Sequence, residues 1–350
     1  MTTRLEPRSR ERGAYLAWFA VIVTTIVAFG AIVVDVGALY YERRQLQNGA
    51  DAAALAVGRS CVDLCATSLA ETFSDANAKD GQHTVTEVCG VAPGQSLTPC
   101  AQPPSVPAAA KGYVRVKNRT NNPANAANPD KVRFLLAPVL DAANVGQSVR
   151  SSAVAAWGPP SGASAMPLMI GVCEFTKLGG VAGTDTNSLV MPTGSTFLYV
   201  NGGSTAYDCP DTSSGGFGWG PAGPGCSMYI GGLTNGGYYL IPSDPGVSVP
   251  PGCNGQSLAT LVGEKILIPI FNGTIANGNN LLYKVIGFAG FVIEKYLIPT
   301  AGRYPANFRC NKGVTTSMQC LYGHFESYTI EEGEIGNGID FGVRIVQMVG

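Results

Sequence analysis

The chain has 350 residues with 23 Lys and Arg against 24 Asp and Glu, a near-neutral balance that leaves no basic excess to hold a nucleic-acid backbone. Only 13% of residues are charged, about half the usual share, and the 45 glycines are about twice theirs. The 45% apolar content suffices for a core, which excludes wholesale disorder.

The first predicted element is residues 14–34, AYLAWFAVIVTTIVAFGAIVV, uncharged throughout and long enough as a helix to cross roughly 30 Å of hydrocarbon. A cleaved signal peptide has an apolar region of about 7–15 residues and ends in a turn, whereas here the helical pattern continues past Asp35. A single-pass anchor follows. Arg4, Arg8, Arg10 and Arg12 in the tail at 1–13 favour a cytoplasmic N-terminus, and Arg43 and Arg44 blunt that bias without reversing it. Tyr15 and Trp18 at one end, and Tyr40 and Tyr41 at the other, suit the two interfaces. None of the ten cysteines precedes Cys61, so all fall on the outer side, where disulfides form.

Residues 35–59 read as an amphipathic stalk, with Leu39, Leu46, Ala50, Ala53 and Val57 on one stripe. That stripe packs either on its own ectodomain or on a partner helix. Asp35 sits at the membrane edge, where a carboxylate either marks the hydrated boundary or meets a cation from a neighbouring subunit. Ala28, Gly30 and Ala31 are small enough to let another membrane helix approach closely.

R-E-R-G-A-Y at 10–15, the apolar run, and D-V-G-A-L-Y-Y-E-R-R-Q-L-Q-N-G-A-D-A-A-A-L-A at 35–56 together resemble the N-terminal module of TadE/TadG-like proteins of tight-adherence (Flp) pilus assembly. The resemblance covers about a sixth of the chain. It implies a pilin-like membrane helix with Asp35 and Gly37 at its outer end, then a polar segment carrying Asn48 and Asp51, and pilus or pilus-assembly proteins as partners. Gly49 stands where the family usually has Ala. Related pilins are cut after a Gly before the helix; Gly13 and Ala14 are suitably placed, but Trp18 stands where a Glu is needed. A von Willebrand A domain, carried by some relatives, is not expected, because Asp211-Thr212-Ser213-Ser214-Gly215 lacks the last metal-site Ser and follows Cys209-Pro210.

Residues 60–158 are expected to form a mixed segment: a strand at Tyr113–Lys117, a capped helix start at Asp130–Leu136, and extended chain at Ser148–Trp157. The Gly- and Pro-rich run at 158–164 predicts no regular element and places a linker at 159–165. Residues 166–350 read as mostly β, with strands at 197–200, 266–270 and 341–346. Leu281–Ile298 reads as a strand or hairpin, since Lys284, Glu294 and Lys295 would be costly inside a bilayer. The predicted class is α+β: a long N-terminal membrane helix with an amphipathic extension, a small strand-helix-strand segment, then a disulfide-stapled β ectodomain.

The cysteine spacings do not suit metal binding, so Cys61, Cys65, Cys89, Cys100, Cys173, Cys209, Cys226, Cys253, Cys310 and Cys320 are disulfide candidates. Cys61 and Cys65, one helical turn apart, are expected to bridge outward, to Cys89 and Cys100, within a set of four before the linker and six after it. His83 and His324 have no recognisable partner set. Gly218 to Gly223 formally fits G-x-G-x-x-G but lacks the strand-turn-helix setting of a dinucleotide site. Neither a Gly-x-Ser-x-Gly elbow nor a Walker loop is present in the sequence. Glu331, Glu332, Glu334 and Asp340 read as a solvated acidic loop. The acceptor patterns at Asn118 and Asn272 suggest exposed loops.

The expectation is a non-enzymatic envelope protein without cofactor or metal, its anchor in the lipid bilayer. The alternative is a tethered adhesin for a surface glycan or protein ligand, using exposed aromatics at Phe217, Trp219, Tyr238 and Tyr239.

Overall fold

The computed structural model describes residues 11–61, 64–123, 125–140, 142–184, 189–201, 217–232, 237–243, 249–277, 280–298, 301–310, 319–331 and 333–350. It divides into two compact units: Met1–Ala53, Ser68–Glu87 and Val116–Ala153, and Ala54–Thr67, Val88–Arg115 and Val154–Gly350.

The chain opens with one helix, α1 (Glu11–Ser60), which has the length and apolarity of a single membrane span. No Pro interrupts it, and its glycines are isolated, so the i→i−4 ladder runs unbroken through the apolar stretch and the polar stalk alike. Along the chain it is followed by α2 (Leu69–Asn77), then by β1 (His83–Val91) and β2 (Gly112–Thr120). Next come β3 (Val132–Arg133), the short α3 (Ala137–Leu140), β4 (Gly146–Gln147) and β5 (Arg150–Gly158). The predicted strand at 113–117 and the extended run at 148–157 are both present. The predicted helix start at Asp130 is not: Val132 and Arg133 pair with Gln147 and Gly146, and the helical turn begins only at Ala137, after an irregular Phe134–Leu136. Val132 and Phe134 favour extended chain and outweighed the cap signal.

The second unit continues with β6 (Gly162–Ala165), β7 (Leu168–Gly171), α4 (Val172–Lys177), β8 (Thr196–Asn201), β9 (Phe217–Trp219), β10 (Met228–Gly231) and β11 (Tyr239–Pro242). After α5 (Gly255–Thr260) come β12 (Lys265–Asn277), β13 (Asn280–Ile298), β14 (Gly302–Tyr304), β15 (Gln319–Phe325), β16 (Tyr328–Ile330), β17 (Ile339–Phe341) and β18 (Val343–Met348). The run at 158–164 is therefore not free of regular structure, because Gly162–Ala165 pairs antiparallel with Met228–Gly231. Glycine there serves close approach: a Cβ on Gly162 would stand 2.8 Å from the Ile230 carbonyl oxygen.

The organising feature of this unit is the β12–β13 antiparallel hairpin at the centre of a nine-stranded sheet of order β8-β15-β13-β12-β7-β9, with β11, β14 and β17 also pairing with β13. Leu281–Ile298 is thus one strand, as expected. Its core is aromatic, with Phe175 edge-on to Phe341 and Phe325 at 5.2 and 5.5 Å, and Phe291 beside Phe325. The predicted strand at 341–346 is broken by Gly342, whose φ of +95° separates β17 from β18. A further five-stranded sheet has the order β1-β2-β5-β18-β16.

Bridges join Cys61 to Cys65, Cys89 to Cys100, Cys226 to Cys253 and Cys310 to Cys320, and Cys173 is disulfide-bonded as well. Cys209 lies outside the described residues. The expected outward bridging of Cys61 and Cys65 is overturned: α1 stops at Ser60 and the chain turns, so the two Cα atoms come within 3.9 Å rather than standing a helical turn apart.

Candidate functional site: the clasp at the end of the membrane helix

From Tyr15 to Val27 every residue of α1 is exposed, as an isolated chain would show a membrane-facing helix. A buried stripe begins at Ala31 and recurs at Asp35, Glu42, Gln45, Leu46, Gly49, Ala50 and Ala53, the three-and-four spacing of one helix face. The stalk stripe therefore packs on residues of its own chain.

Asp35 opens the polar part of that stripe. Among the described residues its partners are backbone amides. Its Oδ1 accepts the Leu135 N–H at 2.8 Å and its Oδ2 accepts the Ala137 N–H at 2.6 Å, with Leu136 N–H at 3.2 and 3.3 Å from the two oxygens. The carboxylate is 6% exposed. Three successive amide dipoles thus take the place of a cation, an arrangement suited to an anion at the entry to a helical turn. Ala31, Ile32, Val36, Leu39 and Phe134 line a groove of about 170 Å³ beside it.

Further along, the first unit is held to the stalk by a polar seam. The Gln45 side chain accepts the Lys79 N–H at 3.1 Å, Ser151 Oγ donates to the Leu46 carbonyl at 2.8 Å, and Ser74 Oγ lies 3.3 Å from the Gly49 carbonyl and 3.0 Å from the Asn118 amide. Gly49 is explained by this seam: a Cβ there would meet the Asn118 side chain at 3.2 Å and the Ser74 backbone oxygen at 3.3 Å. Asn118 is fully buried on β2, so its acceptor pattern does not mark an exposed loop. Asn272 is exposed but lies on β12. Glu42 is 4% exposed, and burial, with Asp80 beside it, pushes its carboxyl up to about 7 against the pull of the Thr120 hydroxyl.

Of the other motif positions, Gly37 faces open space, Asn48 is exposed, and Asp51 accepts from Gln47 Nε2 at 2.7 Å. Gly30 is also open, whereas Ala31 is already buried and Ala28 half-buried, so the small-residue face reads as Gly30 and Gly37 instead of Ala28, Gly30 and Ala31. Gly13 and Ala14 lie inside the first turns of α1.

The remaining sequence candidates scatter. Trp219 and Tyr239 are buried and Phe217 and Tyr238 half-buried, so the aromatic set invoked for ligand binding belongs to the core of the second unit. Its high local Gly content had suggested exposure, but strand pairing covers these rings. Asp340 is 2% exposed and accepts from Arg344 Nε at 2.7 Å and Gly342 N–H at 2.9 Å, which corrects its assignment to a solvated loop. Glu331, by contrast, meets Arg59 on the surface at 3.6 Å, and Glu332 lies outside the described residues. His324 Nδ1 lies 2.9 Å from Glu294 Oε1, and the Ser195 hydroxyl, then His324, hold the Glu294 carboxyl below its ordinary range.

Among the described residues, two sets of potential ligand groups gather. Glu87, Cys89 and Cys100 form one, but both thiols are consumed by their disulfide. Glu71, Asp75 and His83 form the other, with His83 Nε2 buried 3.2 Å from Asp75 Oδ1. Glu174, buried on α4, has its carboxyl pushed up to about 7 by desolvation.

No curated protein and no solved structure matched the chain. The family described as putative Flp pilus-assembly TadE/G-like matches residues 13–60, so the likeness covers α1 and leaves the rest of the chain unassigned. α1, the motif match and the disulfide-bonded β region are consistent with a single-pass, membrane-associated module bearing a large extracytoplasmic domain.

Proposed function

We propose that the chain is an N-in, membrane-anchored structural protein of a TadG-like pilus-assembly system, acting by helix packing and surface contacts without catalysis. The match of residues 13–60 to that family carries the reading. Two observations support it. The open side of α1, with Gly30 and Gly37 bare and Val33 70% exposed, leaves room for a second membrane helix. The disulfides suit the oxidising side of a membrane.

The test is photo-crosslinking in native membranes from a benzophenone amino acid at Val33. A protein adduct whose mass identifies a pilin-like membrane protein, or a second copy of this chain, is the expected outcome. Lipid adducts alone at Val33 would sink the helix-packing reading. The orientation is checked separately, by the access of an impermeant amine reagent to Lys177 in intact cells.

A further inference from the structure

The clasp has a consequence for where the membrane ends. Residues 134–140, Phe-Leu-Leu-Ala-Pro-Val-Leu, are seven apolar residues bounded by Arg133 and Asp141 in the sequence. They stand beside Ala31, Ile32, Val36 and Leu39 of α1, with Phe134 and Ala137 lining the shared groove. Yet Leu135 is 70% and Val139 80% exposed, among the most exposed apolar side chains beyond the span itself. In water that exposure is unfavourable.

The N–H hydrogen bonds of the segment are compatible with an apolar surrounding. An irregular chain can enter hydrocarbon only when its amides are satisfied internally. Here Phe134 N–H donates to the Val145 carbonyl, Leu135, Leu136 and Ala137 N–H donate to Asp35, and Val139 N–H donates to the Leu136 carbonyl. Residue 138 is Pro and has no N–H. Every donor from 134 to 139 is therefore used. The same bonds remove the objection to a carboxylate at that depth, since Asp35 is buried among them.

We propose that Phe134–Leu140 is a second membrane element: a short wedge lying in the outer leaflet against α1, with Leu135 and Val139 in contact with lipid acyl chains. The outer hydrocarbon boundary then falls beyond Asp35, near Leu39, with Tyr40 and Tyr41 in the headgroup layer. This spacing is self-consistent, because roughly 33 Å of helix separates Trp18 from Tyr40, a fit to a hydrocarbon core of about 30 Å between two aromatic belts. Exposed Arg133 at the start of the wedge reaches the phosphate layer by extending its stem. The wedge fixes the rotation and depth of α1, so the open Gly30–Gly37 side is presented in one direction.

The inference rests on α1 being the membrane span, and the experiment separates the two claims. Full-length protein is reconstituted in phosphatidylcholine vesicles with a benzophenone amino acid at Val139 or Leu135, with Ile26 on α1 and Phe73 on α2 as reference positions. After irradiation, intact mass spectrometry reads the lipid adduct. Positions 135 and 139 should label like position 26 and at least about tenfold more than position 73, which a water-exposed site cannot do. Labelling at 26 but only background at 135 and 139 overturns the wedge and leaves the anchor standing. Background labelling at 26 overturns both. A protein adduct at 139 in native membranes with no lipid adduct in vesicles overturns the wedge in favour of a protein-binding face.

Discussion

The Asp35 carboxylate accepts the Ala137 N–H at 2.6 Å across a sequence separation of 102 residues. A residue of α1 is thereby the acceptor for backbone amides about a hundred residues further along the chain, and Asp35 acquires a physical role: it fixes what packs against α1 at that height.

Replacing Asp35 by Ala leaves three part-buried amides without this acceptor, a cost of up to about 1–3 kcal/mol each before relaxation. Amide hydrogen exchange at Leu135, Leu136 and Ala137 should accelerate by at least about tenfold, corresponding to about 1.4 kcal/mol of lost protection. Asp35→Asn retains one acceptor oxygen and should give a smaller change. Unchanged exchange at these amides in Asp35→Ala would show that the clasp does not hold the loop.

Gly49→Ala tests the seam. On an isolated helix this change favours folding by about 1 kcal/mol. Here the added Cβ would press on the Asn118 side chain at 3.2 Å and the Ser74 backbone at 3.3 and 3.4 Å, and backbone cannot swing aside. Overpacking costs about 1–3 kcal/mol, so the net effect should be a loss of stability of roughly 1 kcal/mol. A rise in Tm for this variant would contradict the packing of α2 on the stalk.

Glu42 gives a pH signature. Its carboxyl is raised from 4.5 to about 7, chiefly by burial, so the folded protein holds a proton that the unfolded chain releases. Between those values the unfolded state binds fewer protons, and stability therefore falls as pH rises from about 4.5 towards about 7, then levels off. Glu42→Gln cannot ionise and should flatten this slope, with a gain of roughly 1–3 kcal/mol near neutral pH. Urea midpoints across that window read the effect. Glu174 carries the same sign in the second unit, so the double variant with Glu174→Gln should be flatter still.

The contrast between α1 and its partners explains what the sequence could disclose. Hydropathy is a local quantity, so the span, the stalk stripe and the 281–298 strand were readable from neighbours along the chain. The acceptor role of Asp35 depends on Leu135 to Ala137, and no short-range pattern couples positions so far apart. Composition misled where pairing decides burial: Trp219 and Tyr239 sit among glycines, a setting that looks exposed, yet strands cover both rings. The Gly-Pro run at 158–164 suggested a linker for the same reason, although glycine at 162 admits the β10 backbone. Cys61 and Cys65 were misjudged because the end of α1 at Ser60, in a run of Ala, Val and Gly, carries no strong stop signal.

Asp340 and Arg344 form a buried ion pair in the second unit. Their side chains are 3% and 11% exposed, and Asp340 also accepts the Gly342 N–H at the sharp break between β17 and β18. Removing the acid by Asp340→Ala would take from Arg344 Nε its 2.7 Å acceptor in a buried site and free the turn amide, so about 3–5 kcal/mol should be lost from the second unit. Glu331→Ala breaks a pair whose side chains are 55% and 80% exposed, and should change stability by no more than about 0.5 kcal/mol. Comparable losses from the two substitutions in urea unfolding would mean that Asp340 is not buried, and that the acidic segment is the solvated loop its composition suggests.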